Sequence, residues 1–488
     1  MKKIISILLV ITMLFAVAVP AFAADAQTTA SVADDSEKYP VVIVRGMDFA
    51  GLYYDCGTEN QRPALGEIKA DEIILQLFRA IGSGVINRSL DAAMDVVIDY
   101  VYEILKGLSM DENGDPLYNV GMPKYPESAE NYQFLREGVA NELGMTRACI
   151  ESLGDGYTYY LNYDWRMDPL VVADEINALV ETAIKATGKN KVNIACASMG
   201  GIMTVGYLTK YGYDRVNRCV FLSSTFCGAQ VASDLLCGRV EITAQNLYNY
   251  VANAVSDKAI ISLLCKFINK VGGFEALTKI TDYIVENYRD EVYDRILKPV
   301  FGNMLTLWGL TQPEDYQEAL DFMFDGGNSN KAFVEKTRKL QNMMKNRDAL
   351  LKEMTDSGVE LAIVAGYDSP VIPVYESADF TGDGVLETYQ MSGYATVAKY
   401  GENLGDDYVP ANPKYLSPDR AVDLSTALFP EYTYIIKGAP HVSCSYGSDY
   451  GNFFVWLMTS NGDFYAGANE NYPQFMISGS DQSLRPFN

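Results

Sequence analysis

Apolar and polar positions follow two rhythms along this chain, and their order outlines a fold. The run Pro40-Val41-Val42-Ile43-Val44 has no polar break and closes on Arg45-Gly46, which predicts a strand buried on both faces and ended by a turn. Over 66–107 the rhythm becomes helical. Leu90, Ala93, Met94, Val97, Ile98, Val101, Ile104 and Leu105 share one stripe, with Asp91, Asp95 and Asp99 on the wet face. The Asn, Asp, Gly and Pro residues of 111–126 predict loop.

From residue 158 strands and helices alternate. A strand at 158–163 leads to a helix at 169–187, a strand at 191–196 to a helix starting near Ser198, and a strand at 219–222 closes the set. Strands buried on both faces and separated by helices predict an α/β fold with a mostly parallel central sheet. After Cys227 the pattern is helical for about 120 residues, until the apolar run Leu361-Ala362-Ile363-Val364-Ala365. The last strand is expected at 432–436. The helical block at 229–355 is therefore an insertion between two strands of one sheet, within a single domain spanning 37–488.

Lys2 and Lys3 precede an uncharged apolar run at 4–19, and Ala21-Phe22-Ala23 supplies a small-x-small end. That pattern predicts a secretory signal peptide over 1–23, cleaved near Ala23, with release outside the cell. The run is short for a bilayer span, which takes about 20 residues, so no stable membrane anchor is expected.

Of 488 residues, 39 are Lys or Arg and 63 are Asp or Glu, a formal net charge of −24. Such acidity repels phosphate backbones and anionic headgroups, which excludes nucleic-acid binding and electrostatic membrane docking as expected roles. Eight cysteines are scattered without a CxxC pair, so neither a zinc ribbon nor a disulfide framework is suggested; Cys227 and Cys237 form the nearest candidate pair. One histidine in the whole chain excludes chemistry that needs two imidazoles, such as a HExxH zinc site.

The segment Ala195-Cys196-Ala197-Ser198-Met199-Gly200-Gly201 joins a buried strand to a helix. A serine on that turn is exposed, and the helix N-terminus behind it offers free N–H groups to a developing oxyanion. The plainer reading is a serine that caps the helix. A serine hydroxyl needs an adjacent base, and the sole imidazole is His441, just past the last predicted strand. Two carboxylates compete to orient it: Asp368, past a strand end, and Asp383, in the Gly-flanked turn Gly382-Asp383-Gly384. Physics alone does not separate them. Asp379, Thr381, Asp383 and Gly384 also fit the opening of a calcium loop, but Gln390 stands where its bidentate glutamate belongs, so no metal is expected. The turn Arg45-Gly46-Met47 makes the backbone N–H groups of Met47 and Met199 the candidate oxyanion donors.

With these residues in place, the chain resembles the lecithin-cholesterol acyltransferase and group XV phospholipase family. Tyr163-Asp164-Trp165-Arg166 resembles that family's Y-D-W-R segment, and Ser198-Met199-Gly200-Gly201 is similar to its nucleophile elbow and to that of secreted bacterial triacylglycerol lipases. Gly382-Asp383-Gly384-Val385 is similar to the turn that carries the triad acid in both groups. The resemblance implies an α/β-hydrolase fold, Asp383 as the triad acid with Asp368 as alternative, and a lid or cap at 229–355. It departs at Arg45-Gly46, where the family reads His-Gly, and at Ala197, where it commonly has histidine. Asp164 and Arg166, with Trp165 between them, read as a local ion pair beside the site.

Together these features predict an exported serine hydrolase without cofactor that cleaves small-molecule or lipid carboxylic esters. Acyl transfer, peptidase or carbohydrate acetylesterase chemistry, and a silent binding protein on the same scaffold, are the alternatives. The apolar stripe Ile260, Ile261, Leu263, Leu264, Phe267 and Ile268 of the insertion is expected to pack on the body or line an acyl pocket.

Overall fold

Unbroken aliphatic runs dictate the centre of this molecule. In a strand successive side chains face opposite ways, so a run without polar breaks must be covered on both sides. The computed structural model describes residues 38–48, 51–65, 91–138, 143–240, 287–372, 380–441, 448–479 and 483–488. The predicted signal segment, positions 66–90 of the first helical stretch, the apolar stripe at 260–268, Asp379, Cys265 and Cys444 lie outside them.

The described chain is an α/β protein built on an eight-stranded sheet. In chain order the strands are β1 (Val41–Val44), β2 (Thr158–Leu161), β3 (Val192–Ala197), β4 (Val216–Leu222), β5 (Glu360–Tyr367), β6 (Thr433–Lys437), β7 (Phe475–Ser478) and β8 (Leu484–Pro486). Their spatial order is β8-β7-β6-β5-β4-β3-β1-β2. Every neighbouring pair is parallel except β7–β8. The last strand is thus not β6, as the apolar pattern suggests. Two short strands follow it, the final one exposed and ending in Pro486, a residue tolerated at a sheet edge.

Two helical layers cover the sheet. Val42, Val44, Ile194, Cys196, Cys219 and Phe221 point into one core and Val41, Ile43, Ala195, Ala197, Val220 and Leu222 into the other, as the two-residue period requires. Helix α1 (Asp91–Leu105), α3 (Pro169–Thr187) and α4 (Gly200–Tyr211) contribute to the first core. Helix α2 (Gly144–Leu153) and α6 (Ser448–Thr459) contribute to the second. Helix α3 runs over the predicted residues because its ends are written locally. The Asp168 carboxylate accepts from Leu170 N at 2.8 Å, Pro169 starts the helix, and Gly188 ends it at φ +70°.

Between β4 and β5 the regular elements among the described residues are all helical, ending in α5 (Lys331–Asp356). This block does not stand apart from the sheet. Trp308, Phe333 and Leu340 belong to the same core as Val42 and Ile202. Arg295 of the block also bridges Asp95 and Asp99 on the outer side of α1 at 2.5 and 2.6 Å. Cys227 and Cys237, the nearest candidate pair, are both free thiols. Cys237 turns to the Asp315 carbonyl at 3.5 Å, while Cys227 is buried and burial pushes its thiol up to about 12. No helix among the described residues is long and apolar enough to cross a membrane.

Candidate active site

The site forms where β1, β3, β5 and β6 end on the same edge of the sheet. Ser198 follows β3 directly and sits at φ +49°, a left-handed conformation that costs a non-glycine residue about 1–2 kcal/mol. The turn is held from several sides. Ser198 N donates to Leu222 O at 3.0 Å, and Ser198 O accepts from Gly201 N, Thr225 N and Thr225 Oγ1 at 3.0, 3.0 and 3.2 Å. Thr225 is absent from the sequence-based candidates, since a contact from another strand's loop leaves no local pattern.

Two glycines are explained by close approach. A Cβ at Gly46 would lie 2.8 Å from the Ser198 Cβ, and one at Gly200 would lie 2.2 Å from the Val44 carbonyl oxygen. The β1 turn and the start of α4 therefore press against each other around the serine. Among the described residues, neither the Met47 nor the Met199 backbone N–H has an acceptor. Met47 itself is 39% exposed.

His441 lies four residues past β6. Its Nε2 is 2.9 Å from Ser198 Oγ, and its Nδ1 is 2.7 Å from Asp383 Oδ2. The Asp383 side chain is buried, and its second oxygen accepts from the backbone of Val385 and Leu386 at 3.0 and 2.9 Å. A carboxylate so engaged accepts a hydrogen bond from Nδ1–H of the ring, which leaves Nε2 as acceptor for the serine hydroxyl. Asp368 goes elsewhere. It is 40% exposed at φ +70°, and its carboxylate faces Lys437 at 3.6 Å. Of the two acids, Asp383 is the one beside the imidazole.

Asp164 and Arg166 do not reach these groups. They form a two-pronged pair at 2.9 and 2.6 Å, and the fully buried guanidinium also donates to the carbonyls of Gly107 and Val120. Trp165 Nε1 donates to Asp48 O at 3.0 Å, and Tyr163 Oη to Arg45 O at 2.9 Å. Arg45 turns inward onto Asp48 at 2.7 Å. Asp48, three residues from an arginine, is a partner that the spacing could have shown. The one described cluster resembling a metal-ligand set is Cys237 with Asp315 and Glu318; Arg239 reaches into it, 2.7 Å from Asp315 and 3.8 Å from Glu318.

The arrangement sets a left-handed serine, an imidazole on it and a buried carboxylate on the imidazole in one hydrogen-bonded line, a set that could perform acyl transfer. No protein-family model matches the chain, and no curated protein matches it. Among solved structures, a chain from the crystal structure of the Tle4–Tli4 complex is similar at 10% identity and a TM-score of 0.38, over 90% of this chain and 100% of that one. A likeness that low carries no argument, so the chemistry rests on the residues themselves.

Proposed function

We propose that this protein is an exported α/β-hydrolase that cleaves carboxylic esters, lipid acyl esters foremost, through Ser198, His441 and Asp383. One observation carries the reading: the unbroken hydrogen-bonded line from the Ser198 hydroxyl through the only imidazole in the chain to a buried carboxylate, at 2.9 and 2.7 Å. The strand order and the position of each group after its strand support it, because the serine, acid and histidine follow one another along the chain as in that fold. The lipid preference comes from the resemblance of Tyr163-Asp164-Trp165-Arg166 and of the elbow.

In this mechanism Ser198 Oγ attacks the ester carbon while its proton passes to His441 Nε2. Asp383 stabilises the imidazolium through Nδ1. The carbonyl oxygen, now an oxyanion, is held by the N–H groups of Met47 and Met199. Collapse breaks the bond to the alkoxide, which leaves with the proton from Nε2. Water then repeats the sequence on the acyl-enzyme, releasing the acid and restoring the hydroxyl. The block at 229–355 would cap the acyl side of the site and limit its access to water.

A fluorophosphonate probe tests this directly. The wild type should label at one serine and Ser198→Ala should not, with ester turnover lowered about 10⁴–10⁶-fold. A wild type that resists labelling, or a Ser198→Ala protein that labels equally, overturns the reading. A series of p-nitrophenyl esters of increasing chain length then ranks the acyl group.

A further inference from the structure

The turn after β1 is gripped by side chains from far along the chain. Tyr163 Oη donates to the carbonyl of Arg45 at 2.9 Å, and Trp165 Nε1 to the carbonyl of Asp48 at 3.0 Å. Inside the turn Arg45 Nη1 meets Asp48 Oδ2 at 2.7 Å, and Asp48 Oδ1 accepts from Gly51 N at 2.9 Å. The gripping segment is anchored in turn by Arg166, which is buried and spans Asp164, Gly107 and Val120. The two held carbonyls flank Gly46 and Met47.

That placement matters because of Gly46. The serine excludes any Cβ there, so the residue beside the site must be glycine, the least restrained backbone unit. Left to itself, the following peptide would rotate and take the Met47 N–H with it. An oxyanion donor works only when it is aimed in advance, since reorganisation during reaction cancels its benefit. Fixing the carbonyls on both sides restores the rigidity that glycine removes.

We infer that Tyr163 and Trp165 are positioning residues that aim the Met47 N–H at the oxyanion, an inference that rests on the serine-hydrolase reading above. They touch neither substrate nor the reacting atoms. Their effect is on the tetrahedral state alone, so ester binding in the ground state should be left as it is.

The test uses the full chain with Tyr163→Phe, Trp165→Phe and the double variant, each of which removes a donor and keeps a ring. Active serines are counted by fluorophosphonate titration, so that turnover is expressed per competent site. We expect kcat per titrated serine to fall about tenfold in each single variant, with KM within about twofold. The inhibition constant of a trifluoromethyl ketone, which forms a tetrahedral adduct on the serine, should rise by the same factor. The midpoint of the pH–kcat profile should stay in place, because His441 and Asp383 are untouched. If the double variant turns over within about twofold of wild type per titrated serine, the two residues serve only packing and the inference is wrong. Should one single variant lose its melting transition, the other decides alone. A wild type that is never labelled removes the underlying reading instead, which is a separate failure.

Discussion

The two edges of the central sheet are built from the same strands and handle their difficult residues in opposite ways. At the carboxyl edge, four consecutive parallel strands end on a left-handed residue: Ser198 after β3 at φ +49°, Ser223 after β4 at +44°, Asp368 after β5 at +70° and Gly438 after β6 at +70°. Three of the four are not glycine, so the backbone there holds strain of about 1 kcal/mol or more per residue. At the amino edge the difficulty is buried charge. Arg218 at the start of β4 bonds Glu360 at the start of β5 at 2.7 Å, donates to the carbonyls of Leu457 and Ser460 at 2.7 Å each, and lies over the Phe464 ring at 3.9 Å. That network lines a cavity of about 120 Å³ with Lys38 and Asn193, away from Ser198. One edge stores strain where sharp turns expose side chains; the other satisfies every arm of a buried cation where only stability is at stake.

The comparison predicts that changes at the carboxyl edge affect rate and changes at the amino edge affect stability. Short of removing the serine itself, Asp383→Asn is expected to have the largest effect. Its Oδ1 would still accept from Val385 and Leu386, but its amide would donate to Nδ1 and leave Nε2 protonated toward the serine. Turnover should fall about 10³–10⁴-fold while the melting temperature changes little. Asp368→Asn, which faces Lys437 in solvent, should stay within about threefold of wild type. Equal losses from the two asparagine variants would mean that the imidazole is not oriented by Asp383.

How far the sequence led to this site depends on the range of the interaction involved. Strands β1, β3 and β5 were legible because an aliphatic run without polar breaks permits only burial on both faces. Helix α3 was legible because Asp168, Pro169 and Gly188 write its ends locally. Strands β7 and β8 were not, since four residues beside Gly479 and three ending in Pro486 carry no periodicity to read. The choice between Asp368 and Asp383 was open for a physical reason, because both lie in turns past β5. What separates them is which turn folds over the β6 loop: a Cβ on Gly366 would stand 2.7 Å from the Ala439 carbonyl and 2.9 Å from the Asp383 Cβ. The grip of Tyr163 on a carbonyl 118 residues away left no trace in local spacing.

The amino edge gives the next effect in size. Arg218→Leu would leave Glu360 half-buried without its cation and two carbonyls without donors. Losing one partner of such a pair costs about 3–5 kcal/mol, and the partial exposure of Glu360 argues for the lower end. Chemical denaturation should show that loss, with kcat per titrated serine unchanged. A variant that kept its stability but lost turnover would contradict the division of labour between the edges.

The smallest effect isolates the strain itself. Ser198→Ala and Ser198→Gly both lack the hydroxyl and should be equally inactive, so their difference reports only on the backbone at φ +49°. Glycine is about 0.5–1 kcal/mol worse than alanine in an ordinary strand or helix, because it loses more freedom on folding. A left-handed turn reverses that order: alanine pays about 1–2 kcal/mol in contact between its Cβ and the backbone, and glycine none. Ser198→Gly should therefore be more stable than Ser198→Ala by about 0.5–1 kcal/mol in urea unfolding. If alanine is the more stable of the two, the turn is not strained in solution, and the serine is exposed by its surroundings rather than by its own backbone.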